Sequence, residues 1–234
     1  MQQSEHADAT LLLAENSPAS LEWFDRDWLK RGNKLCGNSD ASGRNPALFF
    51  KVDGTDYVLR HYYRGGLPGK VIEDVYLWSG LESTRAYKEL QLLEQMQQLG
   101  LPICEPVAAK LDRQGFSYRA DLITKRLVGC IDLVAALRQG PLSAQRWQQL
   151  GQVIAQFHQA GVCHADLNAR NIMLNDQQFY LIDFDQGKIR QPDSKWQQAN
   201  LARLQRSLQK ELLRVKGLQW QESDWQQLLK GYQA

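Results

Sequence analysis

One stretch constrains this chain more than any other: VCHADLNARNIMLNDQQFYLIDFDQG, residues 162–187. Two short apolar segments, NIML and FYLIDF, flank NDQQ and read as a β-hairpin. Such a hairpin brings Asn171 and Asp183, twelve residues apart, to one edge. An amide oxygen and a carboxylate are hard ligands that suit Mg²⁺ held against a polyphosphate. Asp166 precedes Asn171 by five residues, where it can orient or deprotonate a hydroxyl attacking a γ-phosphate. Either motif alone also reads as a polar turn in which Asp and Asn cap a helix. Both together, after a helix and a Gly-containing turn, favour phosphoryl transfer.

The rest of the chain supplies strands first and helices later. Residues 18–32, PASLEWFDRDWLKRG, read as a short amphipathic helix, and 33–45 are rich in turn formers and Gly. ALFFKV and YVLRHYY around DGTD read as a hairpin, because Asp-Gly between apolar strands is a strong turn signal. Tyr87, Leu90, Leu93 and Met96 recur at helical spacing, which predicts a helix over 82–99. GLPICEPVAAKLD and FSYRADLITKRL, around RQG, read as further strands. From about Ile131 helices take over: DLVAALRQ, then SAQRWQQLGQVIAQFHQAG with Gly161 as its stop, then most of the chain beyond Lys195. The expected class is α+β with two lobes: a sheet-rich lobe over 1–123 with one main helix, a hinge at 124–129, and a mostly helical lobe over 130–234. A cleft between lobes is where ligands tend to bind.

Composition excludes several alternatives. The net charge of +2 does not suggest a nucleic-acid partner. No apolar run reaches the roughly 18–20 residues needed to span a bilayer. The N-terminus lacks the basic region of a secretory signal. Cys36, Cys104, Cys130 and Cys163 have spacing that suits neither zinc nor a disulfide framework, and they read as reduced thiols of a cytosolic protein. The four His residues are scattered, at 6, 61, 158 and 164.

HADLNARN and IDFD resemble the protein-kinase-like catalytic loop, H-x-D-x-x-x-x-N followed by D-F-G. The resemblance implies a two-lobed kinase-like fold, ATP as cofactor, and Mg²⁺ held by Asn171 and Asp183. Asp185 either helps with a second metal or fixes the loop. It also makes Asp166 the catalytic residue and His164 a brace of the loop. Upstream, Arg60 on YVLRHYY stands where such folds keep a lysine that clamps nucleotide phosphates, and Glu89 is the matching acid. Arg is a permanent cation that forks onto carboxylate or phosphate, so the task can survive, with His61 or Lys51 as possible partners. GNSDASGRN, with Gly37 and Gly43, takes the position of a phosphate-covering turn, and Gly43 is the candidate nucleotide contact. Asn168 stands where Ser/Thr protein kinases keep Lys. Arg170, four residues after Asp166, either neutralises the transferring phosphoryl group or is a structural charge. Only 49 residues follow Asp185, too few for the peptide-docking platform of a regulated protein kinase, so a small or lipid-linked acceptor is expected.

Between about Leu48 and Arg190 the chain resembles the bacterial 3-deoxy-D-manno-octulosonic acid (Kdo) kinase family, related to the lipopolysaccharide core heptose kinases. The carrying segments include YVLRHYYRGGLPGK, STRAYKELQLLEQM, GLPICEPVAAK, YRADLIT and VCHADLNARNIML. The resemblance implies ATP-dependent phosphorylation of the Kdo 4-hydroxyl on a lipid A precursor, at the cytoplasmic face of the inner membrane. Arg60, His61, Arg64 and Lys70 are cations that suit a Kdo carboxylate and lipid phosphates, or form a solvated basic turn. Residues 190–216 carry seven Arg or Lys against two acids. There Leu201, Leu204, Leu208 and Leu212 form one helical stripe, with Arg203, Arg206, Lys210 and Arg214 opposite. That basic face is either solvated or meets an anionic membrane surface. Two other readings stay open: a heptose or aminoglycoside-type kinase, and an inactive kinase-shaped binding module, which Arg60 alone favours.

Overall fold

The computed structural model describes residues 1–6, 9–38, 46–63 and 74–234. The chain divides into two compact units, Met1–Gln95 with Cys104–Val128, and Met96–Ile103 with Gly129–Ala234.

The first unit is built on an antiparallel sheet. Its strands are β1 (Gln2–His6), β2 (Ala9–Leu13), β3 (Leu35–Asn38), β4 (Leu48–Val52), β5 (Thr55–His61), β6 (Tyr76–Leu77), β7 (Pro106–Gln114) and β8 (Ser117–Lys125). They run in the order β1-β2-β7-β8-β5-β4-β3, with β6 on β8. The β4–β5 hairpin turns at Asp53 and Gly54, with φ of 49° and 79°. Positive φ at both centres is the turn whose twist matches the strands, and Asp-Gly is suited to it. The N-terminal hairpin β1–β2 was not expected; only ATLLL, whose Leu11 and Leu12 are buried, hinted at it.

The helix expected over 18–32 is split. A 3-10 turn covers Leu21–Phe24, and α1 covers Arg26–Arg31. Asp25 causes the break: its backbone is extended and its carboxylate accepts from the Asp27 N–H, which starts a new helix. This segment places Trp23, Phe24 and Leu29 in the core with Phe50, Tyr57, Leu59 and Ile123. Trp23, Phe50 and Tyr57 pack ring against ring, with centroids 4.8–5.9 Å apart.

Helix α2 spans Arg85–Gln98 and buries Leu90, Leu93 and Met96, three of the four periodic positions expected from sequence, with Ala86 buried in place of Tyr87. The residues from Met96 to Ile103 cluster with the second unit. There the Leu181 N–H donates to the Pro102 carbonyl at 3.1 Å, and Ile103 bridges Leu181 in parallel.

The second unit is mostly helical. It holds β9 (Ile131–Asp132), α3 (Leu133–Gln139), α4 (Ala144–Gln159), β10 (Val162–Cys163), β11 (Ile172–Leu174), β12 (Phe179–Leu181), β13 (Lys188–Ile189), α5 (Ser194–Arg214) and α6 (Glu222–Tyr232). Helices α4 and α6 meet through glycines. A Cβ on Gly151 would lie 2.0 Å from the Leu228 carbonyl oxygen, and one on Gly231 2.0 Å from that of Gln148.

The Leu stripe of α5 holds for three of four positions. Leu201, Leu204 and Leu208 are buried, while Leu212 is 41% exposed and Glu211 is buried instead. Leu212 lies in the last turn of α5, which ends at Arg214, and Glu211 takes the buried position there.

Candidate active site

In the second unit the candidate catalytic loop is entered through Gly161, whose φ of 76° turns the chain out of α4. The Gly161 carbonyl accepts from the Arg190 N–H at 2.9 Å, and a Cβ there would lie 2.3 Å from the Arg190 carbonyl oxygen. Strand β10 then pairs with β13, so both ends of the 162–189 segment lie together.

His164 is 2% exposed and braces this segment. Its Nδ1 accepts from the Asp166 N–H at 3.1 Å, so its Nε2 carries the proton and donates to the Ile182 carbonyl at 3.0 Å. Burial depresses its pKa, which keeps the ring neutral. Phe184 lies against it, with centroids 4.6 Å apart, and stacks on Phe157.

Asn168 shapes the next turn. Its side-chain oxygen accepts from the N–H groups of Arg170 and Asn171, capping a 3-10 turn over Ala169–Asn171, and its amide donates to the Asp166 carbonyl. The Asn171 amide nitrogen also donates to that carbonyl, at 3.0 Å, which reserves its oxygen for another partner. The β11–β12 hairpin pairs Ile172 with Leu181, and the Ile182 N–H donates to the Asn171 carbonyl at 3.0 Å. Asn171 and Asp183 therefore lie at one end of the hairpin. Asp183 adopts φ of 62°, a left-handed conformation that a non-glycine residue holds at some cost. Asp185 lies two residues on, in a turn closed by the Gly187 N–H on the Phe184 carbonyl at 2.7 Å.

Helix α5 grips the loop with a polar stripe that the sequence reading missed. The Asn200 side chain exchanges two hydrogen bonds with the His164 backbone, at 3.0 and 3.2 Å. Arg203 donates from Nε at 2.8 Å and Nη2 at 2.5 Å to Asp166 Oδ1. Ser207 Oγ accepts from the Ala169 N–H at 3.1 Å. Glu211 takes a forked pair of bonds from Arg170, at 2.7 and 3.2 Å. Steps of three, four and four residues place all four on one helical face. Arg203 is thus not on the free basic face assigned to it from sequence: its long side chain reaches from the edge of that face to Asp166. Arg170 is engaged with Glu211, which favours the structural of its two roles.

Asp166 feels opposing influences. Partial burial pushes its pKa up, but the Asn168 amide and the Arg203 guanidinium outweigh this and hold the carboxyl below the ordinary range.

In the first unit, Arg60 on β5 donates from Nη2 to Glu89 Oε1 at 2.5 Å. Glu89 is 3% exposed, and its Oε2 accepts from the Tyr62 hydroxyl at 2.7 Å. The Arg60 guanidinium lies 4.8 Å from the centre of the Tyr62 ring. His61 and Lys51 are engaged elsewhere: His61 with Asp121 at 2.7 Å and Asp74 at 3.4 Å, Lys51 with Asp56 at 3.3 Å. Gly43, Arg64 and Lys70 lie outside the described residues.

The lipopolysaccharide kinase (Kdo/WaaP) family model matches residues 28–232. A 3-deoxy-D-manno-octulosonic acid kinase of Mannheimia succiniciproducens is 41% identical over 227 residues, covering 94% of this chain and 93% of the relative. The chain belongs to the Kdo/WaaP lipopolysaccharide kinase family. Kdo/WaaP relatives of the same description include one from Pasteurella multocida, 40% identical over 91% of this chain and 90% of its own, and one from Vibrio parahaemolyticus, 41% identical over 86% and 84%. Among solved structures, WaaP in complex with acyl carrier protein aligns with a TM-score of 0.58 at 18% identity, over 95% of this chain and 88% of that one. A glucosamine kinase aligns with a TM-score of 0.53 at 13% identity, over 97% and 68%. These two likenesses carry the fold, which is kinase-like. As a Kdo/WaaP family member, the chain is an ATP-dependent phosphotransferase.

Proposed function

We propose that this kinase transfers the γ-phosphoryl group of ATP to the 4-hydroxyl of Kdo on a lipid A precursor, in assembly of the lipopolysaccharide inner core. The observation that carries this reading is the identity of about two residues in five with Kdo kinases across nine-tenths of both chains. Asp166, Asn171 and Asp183 are all present in a braced loop, which supports catalysis over an inactive binding role.

Asp166 orients the acceptor hydroxyl and takes its proton as the new bond forms. Its depressed pKa keeps it ionised for that task. Asn171 and Asp183, with Asp185, would hold Mg²⁺: the donors are hard oxygens, and the Asn171 amide nitrogen is already spent on the Asp166 carbonyl. When bound, the ion neutralises charge on the nucleotide phosphates. Arg60, held by Glu89, serves the nucleotide phosphates. His164 transfers no proton, because both ring nitrogens are committed to the backbone.

The site of action in this reading is the cytoplasmic face of the inner membrane. Among the described residues no helix is long and apolar enough to cross a membrane. Arg206, Lys210 and Arg214 are exposed on α5, and Leu213 beside them is 89% exposed. Cations around an exposed apolar side chain suit an anionic lipid surface. The acceptor is tested by offering radiolabelled ATP with Kdo–lipid A precursor, heptose-bearing core and an aminoglycoside in parallel. Label only in the Kdo lipid is expected. Label only in another acceptor would overturn the assignment.

A further inference from the structure

Charge spreads over the equatorial oxygens of a phosphoryl group in transfer, and a carboxylate that orients the acceptor stands close by. Such a site needs a cation that is in place before the reaction starts. Three side chains in or against the loop are candidates to supply it. Asn168 is neutral, and its side chain is consumed in capping the 3-10 turn. Arg170 is forked onto buried Glu211. Arg203 remains, delivered from α5.

Its geometry suits the task. Both of its bonds fall on one oxygen, Asp166 Oδ1, so the second carboxylate oxygen is not held by Arg203. Asp166 and Arg203 are each about half exposed, at 49% and 47%. A guanidinium carries five N–H donors in one plane. Among the described residues Arg203 bonds only to Asp166, which leaves donors for a second anion. Asn200 and Ser207, about one turn to either side, fasten α5 to the loop, so the cation is preorganised.

We propose that Arg203 is a catalytic residue: its guanidinium donates to an equatorial oxygen of the transferring phosphoryl group while it stays anchored on Asp166. This rests on the reading of Asp166 as the residue that orients the acceptor. In the step, a lone pair of the acceptor oxygen forms the new bond to the γ-phosphorus. The bond from that phosphorus to the β,γ-bridging oxygen breaks, and its electrons leave on ADP. The hydroxyl proton passes to Asp166 and then to water. Arg203 makes and breaks no covalent bond.

The test compares wild type, Arg203→Ala, Arg203→Lys and Asp166→Ala, each checked for its melting temperature. Two quantities are read: steady-state rates with ATP and Kdo–lipid A precursor, and calorimetric affinities for ADP and for Mg–ADP–fluoroaluminate with acceptor present. Loss of one preorganised donor predicts about a 100-fold fall in kcat for Arg203→Ala, with a KM for ATP within about twofold of wild type. Fluoroaluminate complex affinity falls by a similar factor while ADP affinity holds, and Arg203→Lys recovers part of both. If Arg203→Ala loses kcat yet binds the fluoroaluminate complex as wild type does, Arg203 is only a strut for Asp166 and the proposal fails. Unchanged kcat also overturns it. If Arg203→Ala does not fold, Arg203→Lys decides: wild-type affinity for the fluoroaluminate complex despite a reduced kcat would sink the proposal. Full activity of Asp166→Ala would instead remove the underlying reading, independently of how the Arg203 variants behave.

Discussion

Asp166 Oδ1 receives two N–H groups of Arg203 across 37 residues of sequence, at 2.8 Å from Nε and 2.5 Å from Nη2. The bond ties the carboxylate proposed to orient the acceptor to α5 rather than to the loop's own cation. It is one of four polar contacts, from Asn200, Arg203, Ser207 and Glu211, by which α5 holds the loop of Asp166.

The pairing of Arg170 with Glu211 separates a structural from a catalytic role for Arg170. Arg170→Ala strands a mostly buried carboxylate, so it is expected to destabilise the protein by about 1–2 kcal/mol. Adding Glu211→Gln should recover most of that loss, because the stranded charge is gone. Chemical denaturation of both single variants and the double variant measures the coupling. Additive losses would show that the pair carries no structural energy.

The glycine contact between α4 and α6 admits no side chain. Gly151→Ala puts a methyl group 2.0 Å from the Leu228 carbonyl oxygen, which forces the helices apart. The expected loss is about 3 kcal/mol, or roughly 10 °C in Tm for a chain of this size. A thermal melt that matches wild type would show that the helices do not approach this closely.

His158 makes stability depend on pH. Burial lowers its pKa to about 4, and its Nδ1 lies 2.8 Å from the Tyr232 hydroxyl. The unfolded chain, near 6.5, then binds more protons than the folded one between these values. Stability is complete above about pH 6.5 and falls with pH down to about 4, by an amount on the order of 3 kcal/mol. Burial depresses the pKa of His164 too, which acts in the same direction. Denaturation of His158→Gln across this range should show a shallower decline than wild type; an equal slope would assign the effect elsewhere.

The exposed α5 cations give a membrane prediction. Reversing Arg206, Lys210 and Arg214 to Glu should weaken co-sedimentation with anionic vesicles by about tenfold or more, since each basic residue near such a surface is worth about 1 kcal/mol. Turnover of a soluble Kdo acceptor should persist, because among the described residues none of the three hydrogen-bonds to the loop. Equal sedimentation would remove this face from membrane contact.

How much of this was legible in the sequence depends on the range of the interactions. Asp53-Gly54 marked its hairpin because turn geometry is local, and the spacing of Asn171 and Asp183 placed them together because a two-strand register is local. Arg60 with Glu89 was readable only through family pattern. Asn200 and Ser207 were not picked out, and Arg203 was assigned to the free basic face: their partners lie more than thirty residues away, and the alternation of Leu and Arg on α5 hid them. A polar stripe at steps of three, four and four, beside buried Leu201, Leu204 and Leu208, was the available signal. The division of residues 18–32 at Asp25 was likewise visible as a capping residue inside an apolar pattern.

The most direct test of the central claim is the mass of the lipid product. Purified protein, ATP, Mg²⁺ and Kdo–lipid A precursor are incubated and the lipid is read by mass spectrometry with fragmentation. The account predicts one added phosphate on the Kdo residue with wild type and, from the usual size of a general-base contribution, at least about a 100-fold slower appearance with Asp166→Ala. An unmodified lipid, phosphate on the lipid A portion, or equal turnover by Asp166→Ala would contradict it.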